Sequence, residues 1–346
     1  MRIEEDRRTG LPENNYLMRL VSWRRLLPVS IVYVSNRVFY ANEGLQGISL
    51  PSLGDPTPMA CQIALGSSSS SAWMRACHGR SLLLNTEATV VYQNTRFRYL
   101  DVKGSGLIVS QHGKIFPEVI SPDKSRRYRG FTQGLATKEW ALISIENTQR
   151  LEEIGVRTVP VVAATEIYEV INALGSKISV LEGRVNGLVG QRTEPVEEIR
   201  AWVTPFRLQE VTRFNGRDMI HAAMEDIKNS GDSNFPSFSN SEEFLQALAQ
   251  SIGQAVGKLH KHGYVHEYLS GLHNITLDGR IVDLDGLHST HSSLRRGAEY
   301  RGLFGEIGCY EFFERALDSV DPFKPHEKKA RDFVNVVKDA YRNERR

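Results

Sequence analysis

An amide and a carboxylate, Asn274 and Asp283, stand nine residues apart on either side of a predicted strand–turn–strand, ITLDGRIVDL. Amide and carboxylate oxygens are ligands that Mg²⁺ accepts beside the phosphates of a nucleotide. We therefore predict that these two side chains hold Mg²⁺ or Mn²⁺ and that ATP is the cofactor. Asp285 is an alternative carboxylate, and an ordinary hairpin with a polar start is the non-functional interpretation.

A lysine and a glutamate would complete such a site in a kinase-like fold. Lys103 follows the predicted strand Phe97–Val102, where its ammonium group would neutralise phosphate charge. Glu139 and Glu146 lie two turns apart on one face of a helix predicted over Thr137–Ile154. We prefer Glu139 as the partner of Lys103, with Glu146 as the alternative and solvated surface side chains as the structural interpretation.

The position of the general base is the least typical part of the pattern. The triplet His266-Glu267-Tyr268 stands where a kinase loop has His-Arg-Asp. Tyrosine, with a pKa of about 10, is a poor proton acceptor at neutral pH. Glu267 and His273 are the candidate catalytic residues, because an imidazole titrates near neutrality. Reactions that need little base help, or a loss of catalysis, stay open as alternatives.

Composition narrows the class of protein. The chain has 346 residues, 40% of them hydrophobic, and a net charge of +2, which gives no electrostatic argument for nucleic acid. Its three cysteines predict neither a disulfide framework nor a zinc ribbon, and the histidines between positions 260 and 291 lack zinc-site spacing. No apolar run is long enough for a membrane span, so we expect a cytoplasmic protein that contacts no membrane.

The order of predicted elements gives the fold class. Strands come first, at Leu82–Leu84, Thr89–Tyr92, Phe97–Val102, Val159–Thr165 and Ile199–Thr204. We predict an α+β, bilobal protein-kinase-like fold, with a small antiparallel-sheet lobe that has one helix and a larger, mainly helical lobe. The predicted ranges are 1–78 for an N-terminal extension of uncertain structure, 79–205 for the small lobe and 206–346 for the large lobe, with the catalytic and metal hairpin at 262–286.

The large lobe begins its clearest helix at a capping signal. Asn240 and Glu243 have the spacing of a capping box, and apolar residues from Phe244 to Leu259 follow at helical spacing. Gly263 is predicted to end this helix. The charged tail at about 326–342 is predicted to be helical.

Four segments, in this order, resemble the selenoprotein O (YdiU-type) kinase-like proteins. Residues 79–84 leading to 100–106 are similar to that family's GRA-ILL and LKGAG stretches. Residues 137–158 resemble its REF…LGIPT segment, and 202–207 resemble its RVAPSHIRF strand. The separation of Asn274 and Asp283 is similar to that of the family's metal ligands.

This resemblance implies that the protein transfers AMP from ATP to Ser, Thr or Tyr hydroxyls of a protein substrate. It also implies that Asn274 and Asp283 hold the metal. The ATP-binding residues that the resemblance implies are Gly79, Arg80, Lys103, Gly104, Gly106, Glu139 and Arg207.

The chain departs from the family at two points. The family has an aspartate directly before the metal-binding asparagine, where this chain has His273, and its members are usually longer, with a C-terminal redox cysteine. We therefore identify the chain as a divergent, shortened relative. Conventional phosphoryl transfer and non-catalytic ATP binding by a pseudokinase scaffold are the alternative functions.

Overall fold

A computed structural model describes residues 26–48, 50, 52–56, 60–64, 72–75, 81–105, 135–172, 176–213, 216–266, 268–269, 272–290, 292–304 and 306–346. Their Cα positions divide the chain into two units. The first unit is Met1–Ala88, Tyr99–Ala141 and Val161–Arg200, and the second is Thr89–Arg98, Leu142–Pro160 and Ala201–Arg346. This division differs from the predicted ranges, since the residues before position 79 have no separate unit.

A mixed sheet-and-helix architecture is built on one large sheet. Within the described residues the sheet has nine strands in the order β2-β8-β11-β6-β5-β4-β1-β3, with β7 paired to β11. The recorded pairs, such as β2 with β8 and β8 with β11, are antiparallel. Its strands are β1 (Leu26–Tyr33), β2 (Asn36–Ala41), β3 (Cys61–Ala64), β4 (Ala72–Arg75), β5 (Ser81–Tyr92), β6 (Thr95–Lys103), β7 (Ala136–Thr137), β8 (Val161–Ile167) and β11 (Pro195–Trp202).

Two strand predictions need correction. The segments predicted as Leu82–Leu84 and Thr89–Tyr92 form one strand, β5, because the polar residues between them include no proline or glycine to interrupt it. The strand predicted from Ile199 begins at Pro195, since Glu197 and Glu198 are buried within it. β1 to β4 fall in the range 1–78 and belong to the same sheet.

The helix predicted over Thr137–Ile154 is confirmed as α1 (Lys138–Glu153). A second, short helix, α2 (Val180–Val185), follows the small hairpin of β9 (Glu169–Ile171) and β10 (Lys177–Ser179), so the expectation of one helix beside the sheet was too simple. Ser179 caps α2 by accepting a hydrogen bond from the Glu182 N–H.

The first unit buries charge as well as apolar side chains. Arg200 and Asp101 form an ion pair in which both side chains are almost fully buried. An apolar core cluster of the same unit contains Val34, Ala60, Leu135, Ile167, Val170, Ile171, Ile178, Leu188 and Val189. A buried pair of this kind is destabilising to break, because either partner alone would be an uncompensated charge.

The second unit is mainly helical. Its helices are α3 (Leu208–Arg213), α4 (Gly216–Ser230), α5 (Ser241–Lys261), α6 (Ser293–Phe304), α7 (Glu311–Val320) and α8 (Glu327–Arg345), with a π-helical segment at Glu306–Tyr310. β12 (Tyr264–His266) and β13 (Leu287–Ser289) form a two-stranded antiparallel sheet, and a 3₁₀ turn covers Leu284–Gly286.

The signals around α5 are confirmed. Asn240 accepts a hydrogen bond from the Glu243 N–H at 2.9 Å, and Gly263 ends the helix with a φ of 79°. Gly253 and Gly257 allow α8 to pack closely, because a Cβ at Gly253 would lie 2.3 Å from the Val337 carbonyl oxygen. The predicted tail helix corresponds to α8.

Within the described residues, no helix has both the length and the apolar character that crossing a membrane requires. The bilobal, kinase-like arrangement stays a prediction.

Candidate functional site

The segment between Asn274 and Asp283 folds back in a tight turn, and its arms pair through one antiparallel bridge, Ile275 with Ile281, so the predicted hairpin is present in a short form. The N–H of Gly279 donates to the Thr276 carbonyl at 2.9 Å, and the N–H of Val282 donates to the Asn274 carbonyl at 3.0 Å. Two further bridges, Thr276 to Arg207 and Ile281 to Thr158, connect the arms to other segments. The turn brings its two ends together, which is the property that the spacing predicted.

Asn274 and Asp283 converge on one atom, the Nη1 of Arg207. This nitrogen lies 3.3 Å from Asn274 Oδ1 and 2.9 Å from Asp283 Oδ2, and it donates to the His273 carbonyl at 2.7 Å. The Arg207 side chain is buried, whereas the side chain of Asp283 is 22% exposed. An amide, a carboxylate and a carbonyl therefore share one cationic group.

Arg207 is fixed by the elements around it. Its N–H donates to Glu210 at the start of α3, and its guanidinium lies 5.5 Å from the ring of Trp202 at the end of β11. Its Nε has no hydrogen-bond partner. The sequence resemblance had implied an ATP-binding role for this arginine, but not its position between the two metal-ligand candidates.

The backbone of Asp283 is held in a left-handed conformation, with φ 56° and ψ 53°. A residue with a side chain seldom adopts this conformation, and such strain persists only where neighbouring groups enforce it. The Nε2 of His266 lies 3.0 Å from the Val282 carbonyl oxygen and 3.1 Å from that of Asp283. From α1, Asn147 donates to the Leu284 carbonyl at 2.8 Å.

His266 acts in its neutral form. Burial lowers the pKa of this imidazole, although the Val282 carbonyl and nearby carboxylates oppose the shift. Its Nε2–H therefore donates to the two carbonyls, while its Nδ1 accepts the Tyr268 N–H at 3.3 Å. His266 is a positioning residue for Asp283, since it contacts the backbone of that residue.

Of the two candidate bases, His273 is described, and it directly precedes Asn274. His273 is partly buried, its ring centroid lies 6.3 Å from that of Tyr268, and its carbonyl accepts a hydrogen bond from Arg207. Glu267, the other candidate, lies outside the described residues. Asp285, the alternative ligand, follows in the 3₁₀ turn and is partly exposed.

The remaining predicted site residues belong to the first unit. Lys103 is buried at the end of β6, and Glu139 is exposed on α1. These two described residues form no ion pair, and Glu146 instead pairs with Arg150, one turn further along the helix. Gly79, Arg80 and Gly106 lie outside the described residues.

Gly104 has a packing reason for being glycine. Its φ is 94°, and a Cβ there would lie 2.5 Å from the Val196 carbonyl oxygen of β11. The close approach explains the residue type without a nucleotide, so its ATP-binding role stays a prediction.

Sequence reasoning missed a charged cluster at the tip of the turn, which we call the tip network: Arg157, Asp232, Asp278 and Arg280. Arg157 donates to Asp232 at 2.6 Å, and Arg280 pairs with both Asp232 and Asp278. Burial would raise the pKa of Asp232, but Arg280 and Arg157 hold it below its usual range. The signal was visible as the charged triplet Asp278-Gly279-Arg280 within an apolar stretch.

Zinc binding by histidines and thiol chemistry at Cys309 have little support from the geometry of the described residues. Within the described residues, no group of three or more His, Cys, Asp or Glu side chains could hold a metal ion, so the described histidines form no such cluster. Cys309 is fully buried, and burial raises the pKa of its thiol to about 12, which suppresses the reactive thiolate.

Comparisons with known proteins are consistent with wide divergence. No family model matches the chain, and no curated protein matches it. Among solved structures, the chain is similar to one described as "WaaP in complex with acyl carrier protein". The identity is 14%, with 77% of this chain and 84% of the other covered and a TM-score of 0.26. A likeness at this level does not decide the fold or the function.

Proposed function

We propose that the protein is an ATP-dependent transferase that attaches AMP to Ser, Thr or Tyr hydroxyls of a protein substrate. The observation that carries the proposal is the convergence of Asn274 Oδ1 and Asp283 Oδ2 on a single cationic nitrogen. The choice of AMP over phosphate rests on the resemblance to the selenoprotein O proteins.

The donor set fits a divalent cation in chemical type. Mg²⁺ is commonly held by one or two carboxylate or amide oxygens together with water and phosphate. Asp283 is 22% exposed, so solvent reaches its side chain. Arg207 must withdraw first, because its Nη1 occupies the point at which the two oxygens converge.

Each residue then has a distinct role. When bound, the metal would neutralise phosphate charge and orient the phosphates. Arg207, once released, can pair with a phosphate through its planar guanidinium. Lys103 would supply a second positive charge, and His273 or Glu267 would accept the proton of the substrate hydroxyl. His266 keeps Asp283 in its strained orientation.

A second function, nucleotide binding without transfer, is favoured by the same arginine. A buried guanidinium already satisfies Asp283, so the site needs no metal to be electrostatically complete. Tyr268 also stands where a kinase has its catalytic aspartate, which removes the usual general base.

ATP labelled at either the α or the γ phosphate separates these functions. The protein is incubated with each label, Mg²⁺ or Mn²⁺, and a lysate, and labelled proteins are detected after electrophoresis. Transfer from the α label alone supports AMP transfer, and transfer from the γ label alone shows a kinase instead. ATP binding with neither label transferred supports the non-catalytic function.

The matched variants are Asp283→Asn and Asp285→Asn. We expect the first to reduce transfer by at least about 10²-fold and the second to leave most of it, because only Asp283 shares Arg207 with Asn274. Equal activity of the Asp283→Asn variant and the wild type would refute the metal assignment.

A further inference from the structure

A cavity of about 330 Å³ lies within the second unit, on the side of the turn that carries the tip network. It is bounded by the turn between β5 and β6, the end of α1 and one face of α5. Its volume is within the range of small-molecule sites in proteins. Three cationic side chains line it: Arg157, Lys258 and Arg280.

Two of these cations have donor capacity that no neighbouring group uses. The ammonium group of Lys258 donates to the Gly155 carbonyl at 2.9 Å and forms no ion pair with a carboxylate of the described residues. The Nε of Arg157 is buried and has no hydrogen-bond partner. A buried donor without a partner is unfavourable, so a ligand that accepts from it would gain free energy.

The two arginines of the cavity are already paired with Asp232 and Asp278, so Lys258 is the cation that attracts an anion. Burial lowers the pKa of Arg157, and the positive charge of Arg280 lowers it further. The carboxylates of Asp278 and Asp232 oppose this shift. The cavity wall also contains two carboxylates. Glu152 accepts a hydrogen bond from the Tyr92 hydroxyl at 2.8 Å, and burial raises its pKa, while Glu344 lies at the partly exposed end of α8.

We propose that this cavity is a binding site for a small molecule that carries a phosphate or carboxylate group, recognised by Lys258 and Arg157. The amide side chains of Gln93, Asn234 and Gln254 line the same cavity and can bind the polar remainder of such a molecule. Glu152 and Tyr92 discriminate against a second anionic group on their side.

A ligand here would contact the turn that bears Asn274 and Asp283. Arg280 lines the cavity and donates to the Thr158 carbonyl at 3.0 Å, and its own carbonyl accepts the Thr276 N–H within the turn. Binding should therefore stabilise the turn. The cavity does not depend on the proposed function, because none of its lining residues is a metal or ATP candidate.

Inorganic phosphate and acetate are the probes for the two anionic groups. Each is titrated into the full chain without ATP or metal, at an ionic strength kept constant with NaCl, and binding is followed by calorimetry and by the melting temperature. We expect at least one of them to bind saturably, and the better probe identifies the anionic group.

Lys258→Gln and Lys261→Gln are matched variants on α5, since Lys261 is exposed and does not line the cavity. Within the part of the chain that the structure describes, Lys258 makes a single hydrogen bond, to the Gly155 carbonyl, so its replacement should leave the fold intact. We expect binding to weaken at least tenfold with Lys258→Gln and to be unchanged with Lys261→Gln. Saturable binding of neither probe, or equal binding by the Lys258→Gln variant, would overturn the proposal.

Discussion

The two ends of one turn bury charge in different ways. At the tip, Asp232 is shared by Arg157 and Arg280, and its side chain is 1% exposed. At the other end, which we call the base of the turn, Asp283 pairs with Arg207 beside the amide of Asn274, and its side chain is 22% exposed. The carboxylate of Asp232 is closed to water, whereas water reaches that of Asp283. This difference suggests that Asp232 serves stability and that Asp283 serves binding.

The strongest test of this comparison is to remove the shared carboxylate at the tip. Asp232→Asn leaves two buried arginines with one aspartate, and we expect the second unit to lose about 3–5 kcal/mol of unfolding free energy. Asp283→Asn should cost only about 1–2 kcal/mol, because the amide keeps an acceptor for Arg207 and water reaches the site. Urea unfolding of both variants gives the two values.

The pH dependence of the same variants is a separate check. The pKa of Asp232 is lowered in the folded state, so its stabilising contribution is present above the unfolded pKa and is lost as the pH falls through the folded pKa. Asp232→Asn should therefore flatten the acid limb of stability against pH. A larger loss of stability from Asp283→Asn than from Asp232→Asn would reverse the assignment of the two ends.

Removing Arg207, the cation at the base of the turn, should have a smaller effect, on the affinity for Mn²⁺. Arg207→Met leaves Asn274 and Asp283 converging without a positive charge, so Mn²⁺ should bind about ten- to a hundredfold more tightly, or about 1.4–2.8 kcal/mol. Electron paramagnetic resonance of free Mn²⁺ measures this affinity without any turnover.

Arg207→Lys is the control, because it keeps the positive charge and should leave Mn²⁺ affinity close to that of the wild type. Unchanged Mn²⁺ binding by the Arg207→Met variant would mean that the two oxygens do not form a cation site, whatever the activity of the protein.

Local signals in the sequence were sufficient for parts of this site. Glycine, capping and periodic apolar residues predicted α1 and α5, and the spacing of Asn274 and Asp283 predicted two ends of a turn that lie close together. These inferences succeed because hydrogen bonds within a few residues determine each element.

Local signals could not predict the residues that contact the turn from distant parts of the chain. Arg207 reaches the turn from more than 60 residues away, and Arg157 and Asp232 join Asp278 and Arg280 from other elements. The expected pairing of Lys103 with Glu139 stays a prediction for a related reason. Helical spacing specifies which residues share a face, but it does not specify what that face contacts.

A third buried carboxyl, Glu197 in the first unit, has no arginine and therefore sharpens the comparison with Asp232. It is fully buried on β11, accepts the Cys61 N–H at 2.8 Å, and has no partner for its other oxygen. Burial raises the pKa of Glu197 well above its usual range, although the Cys61 hydrogen bond opposes the shift. The folded state thus binds a proton that the unfolded state releases.

Stability should consequently fall as the pH rises from the usual glutamate pKa towards the folded value, by about 1 kcal/mol for each pH unit. Glu197→Gln should abolish this loss and stabilise the first unit at neutral pH, since an amide stays neutral. Glu198→Gln is the control, because the neighbouring Glu198 lies 3.8 Å from Arg200 and is not an uncompensated charge. Thermal unfolding between pH 5 and about pH 8 distinguishes the two variants, and a wild-type stability that is flat over this range would show that Glu197 finds a cation after all.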